Sequence, residues 1–267
     1  MNNININLNP DRFTGFSDTY DAARPAMPVF PVEVIEKYLG RQAENVIDLG
    51  CGTGLSTLVW KNRCDNAIGV EPSDDMRKEA EKKQGGNICF MKGYSHEIPV
   101  GDAFADAVVC SQSFHWMEPV ATFKEVSRVL KGGGVFATVD CDWPPVCDWQ
   151  TEKAYSELFK KVKKIEAEHP DVKDTFVRYS KDKHLENIRN SGHFTYVREI
   201  VFSNSEKCTA ARMVNLAYSQ GSLQTILKKA PELIENELEN FKKFVFDFYG
   251  DREFEIRFSY RMRIGVK

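Results

Sequence analysis

One stretch constrains this chain more than any other: NVIDLGCGTG, residues 45–54, where buried-strand residues pass directly into glycines at positions 50, 52 and 54. A short β-branched and aliphatic run followed by alternate glycines predicts a strand that ends in a tight turn. There the backbone must adopt conformations closed to other residues, or approach a ligand without an intervening side chain. A buried strand of this kind needs neighbours on both edges and both faces, so the rest of the chain has to supply a sheet.

It does so in alternation. VIDL (46–49), AIGV (67–70), ICFM (88–91), AVVC (107–110) and VFATV (135–139) read as five strands buried on both faces, and the segments around 54–62, 73–84 and 119–130 read as helices. Ser73 is placed to cap the second of these, with Asp74 and Asp75 complementing its N-terminal dipole. Strand and helix in turn predict an α/β fold with a doubly wound parallel sheet. Before it, Val34, Ile35, Tyr38 and Leu39 share the face of a short helix stopped by Gly40. After it, Pro144 and Pro145 precede a helix striped with Tyr155, Leu158, Phe159, Val162 and Ile165, whose lysines at 160, 161, 163 and 164 read as a solvated face. Pro170 ends that helix, and a polar helical region is expected to about Gly192. YVREIVF (196–202) reads as a sixth strand, and Ile234, Leu238, Phe241, Val245 and Phe248 as the core face of a helix. In the tail, Phe254, Ile256, Phe258, Tyr260, Met262 and Ile264 alternate with Glu253, Glu255, Arg257, Ser259, Arg261 and Arg263, a strand with one buried and one charged face.

In such a sheet, ligands bind beyond the C-terminal strand ends, where the strand order reverses. Glu71 ends the second strand 21 residues after Gly50, where a carboxylate can accept hydrogen bonds from both hydroxyls of a ribose. A dinucleotide GxGxxG pattern starting at Gly50 needs glycine at position 55 and meets Leu55, and no GxxxxGK[ST] occurs. A nucleoside is thus implied; the NAD reading is weakened, with an oxidoreductase kept as an alternative, and an ATP-binding P-loop is absent. With 36 basic and 39 acidic residues, the net charge of −3 projects no general field toward nucleic acid or an acidic membrane, so the expected partner is a small molecule. Seven cysteines without a CxxC pair, and histidines at 96, 169, 184 and 193 without ligand spacing, predict free thiols and no metal. The N-terminus lacks the pattern of a signal peptide and no apolar run approaches about 18 residues, so the expectation is a cytoplasmic protein; the oligomeric state stays open.

Glycines at 50, 52 and 54, with Asp48 two residues before the first, resemble motif I of the class I S-adenosylmethionine-dependent methyltransferases. GVEPSDDM (69–76), GYSHEIP (93–99), DAVVCSQSFHWM (106–117) and VLKGGGVF (129–136) are similar to that family in order and spacing, covering about 45–139. YDAARPAMP (20–28) resembles the Tyr and Arg-Pro pattern of a small-molecule branch that includes trans-aconitate methyltransferases, and YSQGSL (218–223) is weakly similar to a late segment of it. The resemblance implies a seven-stranded, mostly parallel sheet whose last strand is antiparallel. It implies one methyltransferase domain over 1–267, with an N-terminal arm (1–30) over the cofactor and a helical cap (142–195) inserted after the fifth strand to choose the acceptor.

By the same resemblance the cofactor is S-adenosylmethionine and the product S-adenosylhomocysteine. Gly50, Cys51 and Gly52 would pass its methionine part, with Asp48 near the ammonium directly or through water. Glu71 would hold the ribose, Pro72 and Met76 would pack on adenine, and Tyr94 and Ser95 would contact it. Ser111 and Gln112 would flank the methyl group, and Tyr20 and Arg24 would close over the cofactor. The implied enzyme moves a methyl group by in-line displacement to a small-molecule acceptor, a carboxylate or another O or N nucleophile. His115 is the one candidate general base, while Trp116 reads as pocket wall, and Trp143 and Trp149 either line the acceptor pocket or anchor a loop. The rival readings are a cofactor-binding sensor or protein-interaction module with this fold, and an RNA or protein methyltransferase. Nucleic-acid methylation is disfavoured because the fourth strand ends in SQSF rather than [DNS]PP[YF] and the net charge is negative.

Overall fold

A computed structural model of the protein describes residues 24–172 and 176–267. Each apolar run becomes a strand: β1 (Asn45–Leu49), β2 (Asn66–Val70), β3 (Ile88–Met91), β4 (Ala105–Ser111) and β5 (Leu130–Cys141), followed by β6 (Tyr196–Cys208) and β7 (Phe254–Val266). They form a seven-stranded sheet in the order β3-β2-β1-β4-β5-β7-β6. Strands β1 to β5 pair parallel, and β7 runs antiparallel to both β5 and β6. The expected doubly wound sheet with a reversed last strand is what the chain builds.

Successive side chains leave a strand on opposite faces, and the sheet separates them accordingly. Val46, Ala67, Val109, Val135 and Ala137 face the layer holding α1 (Phe30–Leu39), α4 (Trp149–Glu168), α6 (Ala210–Tyr218), α7 (Gly221–Lys229) and α8 (Glu235–Tyr249). Ile47, Leu49, Ile68, Val108 and Phe136 face α3 (Pro119–Val129) and α5 (His184–Asn190). Between β2 and β3 lies α2 (Asp74–Glu81), capped by Ser73 as read, its hydroxyl accepting from Met76 N. Among the described residues no helix is long and apolar enough to cross a membrane.

Three local expectations change. The segment around 54–62 is not an α-helix but a single 3-10 turn, Thr57–Trp60, because Asn62 enters the left-handed region (φ 60°) with its N–H on Asn87 Oδ1. The polar region after Pro170 carries no helix over 176–180; it is pinned to the site instead, Tyr179 N–H donating to the carbonyl of His115 at 2.8 Å. The charged face of β7 is not wholly solvated, since Arg263 is 3% exposed: it lies between β5 and β6 and donates to Asp140 and Glu199. Residues 210–229, to which the sequence reading assigned no structure, form α6 and α7.

Candidate active site

The strand order reverses at β1, which has β2 on one side and β4 on the other. A cleft opens there beyond the C-terminal strand ends, at the position expected for a ligand. The glycine turn forms its floor. Gly50 and Cys51 donate their N–H groups to Val70 O at 2.8 and 3.3 Å, which ties the turn to the end of β2, and Gly54 N–H returns to Cys51 O. Gly50 and Gly52 both have positive φ, 71° and 57°, but for different surroundings. A Cβ on Gly50 would lie 2.7 Å from Ser113 Cβ, whereas one on Gly52 would meet no protein atom within 4 Å. Gly50 is closed by packing, and Gly52 leaves open room in the cleft.

Glu71 stands at the end of β2, 8% exposed, and both its carboxylate oxygens already accept backbone N–H groups, Oε2 from Gly52 and Oε1 from Ser73, each at 2.9 Å. Two oxygens offer about four acceptor sites, so capacity remains for a pair of hydroxyls. Burial raises its pKa to about 7, against the opposing pull of the two N–H donors. Pro72 and Met76 continue the same wall, and Met76 is buried.

Of the residues read as cofactor-binding, Arg24, Gly50, Cys51, Gly52, Glu71, Pro72, Met76, Tyr94, Ser95, Ser111 and Gln112 line this one cleft. Tyr20 lies outside the described residues. Asp48 is not on the lining. It sits behind the turn, 1% exposed, where Oδ2 accepts the hydroxyls of Ser56 and Thr57, both at 2.6 Å, while Oδ1 has no partner. Burial raises its pKa to about 6. The sequence reading missed Ser56 and Thr57, although two hydroxyl residues just past a buried aspartate were the available signal. It also missed Ser113, whose hydroxyl donates to Leu49 O at 2.7 Å and locks the β4 end against the turn.

His115 does not line the cleft. It lines a second cavity with Trp143, Lys163, Arg178, Tyr179, Lys181 and Ser222. The two spaces share Arg24, Gln112, Trp116 and Cys141 as a common wall. Gln112 sits at the junction with φ 56°, its N–H on Val139 O and its Oε1 accepting from Lys181 Nζ at 3.0 Å. Arg24, on the wall of both spaces, donates to Ser219 O and Gln220 Oε1, and its guanidinium lies 4.9 Å from the Trp143 ring centroid. Trp149, by contrast, is 69% exposed at the start of α4.

The strand order, the single reversed strand and the glycine turn at the reversal define the class: this is the Rossmann-like α/β fold of methyltransferases. Residues 47–138 match the methyltransferase domain family.

Particular relatives extend the match. A Mycobacterium tuberculosis protein named only as a methyltransferase is 32% identical over 124 residues, 46% of this chain and 51% of its own length. A methyltransferase-like protein of Schizosaccharomyces pombe is 26% identical over 226 residues, 84% of this chain and 83% of its own. CRG1 of Saccharomyces cerevisiae, named as an S-adenosylmethionine-dependent methyltransferase, is 29% identical over 124 residues, 44% of this chain and 43% of its own. The chain thus spans about half the length of several curated relatives that it matches. Among solved structures, a protein of Anaeromyxobacter dehalogenans named as a type II methyltransferase superposes with a TM-score of 0.69, at 15% identity, over 91% of this chain and 97% of its own.

Proposed function

We propose that the protein transfers a methyl group from S-adenosylmethionine to a small-molecule acceptor, in the branch similar to trans-aconitate methyltransferases. The observation that carries this reading is the pairing of cavities: a cleft with the glycine turn and Glu71 shares Gln112 and Trp116 as a wall with a second space. The residues fit the cofactor on two counts, the room a Cβ on Gly52 would fill and the acceptor capacity left on Glu71.

When bound, the cofactor supplies a methyl group already activated on a sulfonium. The chain's own contribution is then binding, alignment and exclusion of water. Glu71 accepts the ribose hydroxyls, Pro72 and Met76 give adenine an apolar wall, and Tyr94 and Ser95 close its side. Gly50, Cys51 and Gly52 let the methionine part lie on backbone. Asp48 holds the turn through Ser56 and Thr57, and reaches the ammonium group only through what lies between. Ser111 lines the cleft beside Gln112, which with Arg24 stands on the wall shared by the two cavities. In this reading the region 142–195, together with residues 220–222, covers the acceptor; of the arm expected over the cofactor at 1–30, positions 1–23 lie outside the described residues. All seven cysteines are free thiols, which suits a reducing cytosol.

The fold alone does not carry the reaction, since the [4+2]-cyclase SpnF shares it with a TM-score of 0.50. The test is therefore calorimetric binding of S-adenosylmethionine and S-adenosylhomocysteine. Micromolar binding by the wild type, weakened about tenfold or more in Glu71→Ala, is expected from the loss of a buried charge-assisted acceptor. No binding of either compound by the wild type overturns the reading.

A further inference from the structure

Asp140, the last acidic residue before β5 ends, is 3% exposed yet gathers four cationic or basic side chains. Its Oδ2 takes Arg263 Nη1 of β7 at 3.0 Å and faces His184 Nδ1 of α5 at 3.2 Å. Its Oδ1 lies 3.0 Å from Lys181 Nζ, just before α5, and 3.9 Å from His115 Nδ1, past β4. The arrangement has a structural half and a cavity half. Arg263 and His184 are buried and tie the strands to α5, Arg263 also donating to Glu199 of β6. Lys181 and His115 are on the wall of the second cavity.

On the methyl-transfer reading, we propose that His115 is the proton acceptor of this site, with Asp140 as its positioning residue, and that the acceptor molecule presents a protic nucleophile, a hydroxyl or an amine. The geometry assigns the two ring nitrogens different tasks. Nδ1 is buried, without a hydrogen-bond partner, on the Asp140 side, which leaves Nε2 to the cavity. At 3.9 Å the Asp140 contact is too long for a hydrogen bond in the free protein, but a carboxylate at that distance stabilises the ring once it is charged. As the acceptor's lone pair forms the new bond to the methyl carbon, the pair of the broken carbon–sulfur bond stays on sulfur. The proton leaves the nucleophile for Nε2 and passes from there to water.

The remaining charged groups around the ring set its resting state. Burial pushes the His115 pKa well below the ordinary imidazole range, Lys181, Arg178 and His184 push the same way, and Asp140 opposes them. The ring therefore rests neutral at pH 7, with a lone pair to offer. Asp140 stays ionised: burial works against its charge, but the His184 hydrogen bond and the Lys181 charge outweigh that and hold its pKa well below the usual carboxylate range. A carboxylate acceptor, which carries no proton to remove, would have no use for this device.

The test reads the ring itself. In long-range 1H–15N spectra of histidine-labelled protein at pH 7, with His115 assigned by its disappearance in His115→Asn, the expected state is neutral, protonated at Nδ1 and bare at Nε2. Asp140→Asn should move the tautomer balance toward Nε2–H. If that variant does not fold, Lys181→Met serves in its place, and should raise the His115 titration midpoint by removing a neighbouring cation. Diethyl pyrocarbonate should label His115 faster than the fully buried His184. A charged ring, a protonated Nε2 in the wild type, indifference to both substitutions or no labelling of His115 overturns the proposal. S-adenosylhomocysteine binding by His115→Asn is measured alongside; its retention keeps the cofactor reading intact whichever way the ring measurement falls.

Discussion

The two cavities that meet at Gln112 are built by opposite means. The cleft at the glycine turn rests on one continuous turn and the adjoining ends of β1, β2 and β4, and its polar contacts are largely backbone N–H groups held by Glu71 and Val70. The second cavity takes side chains from six separate stretches, near 24, 112–116, 141–143, 163, 178–182 and 220–222, and its rear wall is a buried ion network around Asp140. The difference teaches where each is vulnerable. A backbone cradle fails when a Cβ enters it, and a charge network fails when one partner leaves.

The largest effect should fall on the network. Arg263→Met removes the cation shared by Asp140 and Glu199 and leaves both carboxylates short of a partner, so the expected loss is about 3–5 kcal/mol in denaturant melts. A loss below about 1 kcal/mol would mean that the buried pairs contribute little and that the contrast between the cavities is only one of shape.

The glycines sharpen the other side. Gly50→Ala adds left-handed strain to a clash with Ser113 and Met117, for roughly 2–4 kcal/mol of destabilisation. Gly52→Ala carries the strain without the clash, roughly 1–2 kcal/mol, and should lose cofactor affinity out of proportion to its stability. Melting and calorimetry on the pair separate the packing glycine from the ligand glycine; equal losses of stability would erase that distinction.

The smallest effect is one of pH. Glu71 holds its proton to about pH 7 when folded, against 4.5 for the ordinary carboxyl. Between those values the folded chain binds more protons than the unfolded one, so this group's contribution to stability is greatest below the lower value and is lost as pH rises to the upper one. Ligand binding runs the other way, since the ionised carboxylate is the better acceptor of ribose hydroxyls. S-adenosylhomocysteine affinity should rise by up to roughly tenfold between about pH 6 and pH 8, and the rise should vanish in Glu71→Gln. A wild-type affinity flat across that range would show that the free carboxyl is already ionised.

How far the sequence could be read follows the same division. The three glycines and Glu71 lie within 22 residues, and their places in the cleft were legible because positive φ and a strand-end carboxylate are short-range properties, whereas Asp48, read beside the ligand, lies behind the turn on Ser56 and Thr57. The 3-10 turn at Thr57–Trp60 was not, because the stop at Asn62 depends on Asn87, which is 25 residues away. Arg263 read as one more solvated charge in a clean alternation, and only Asp140 and Glu199, on the strands beside it, bring it inside. An aspartate directly after the apolar run VFATV was the one signal that a buried charge waited there.

By itself, then, the sequence determined the sheet, its doubly wound order and the glycine turn, because hydrophobic period and backbone sterics act over a few residues. The tertiary structure alone decided that His115 belongs to the second cavity and not the first, and which charges surround it. Burial and electrostatics depend on what arrives from far along the chain, and no local pattern records that.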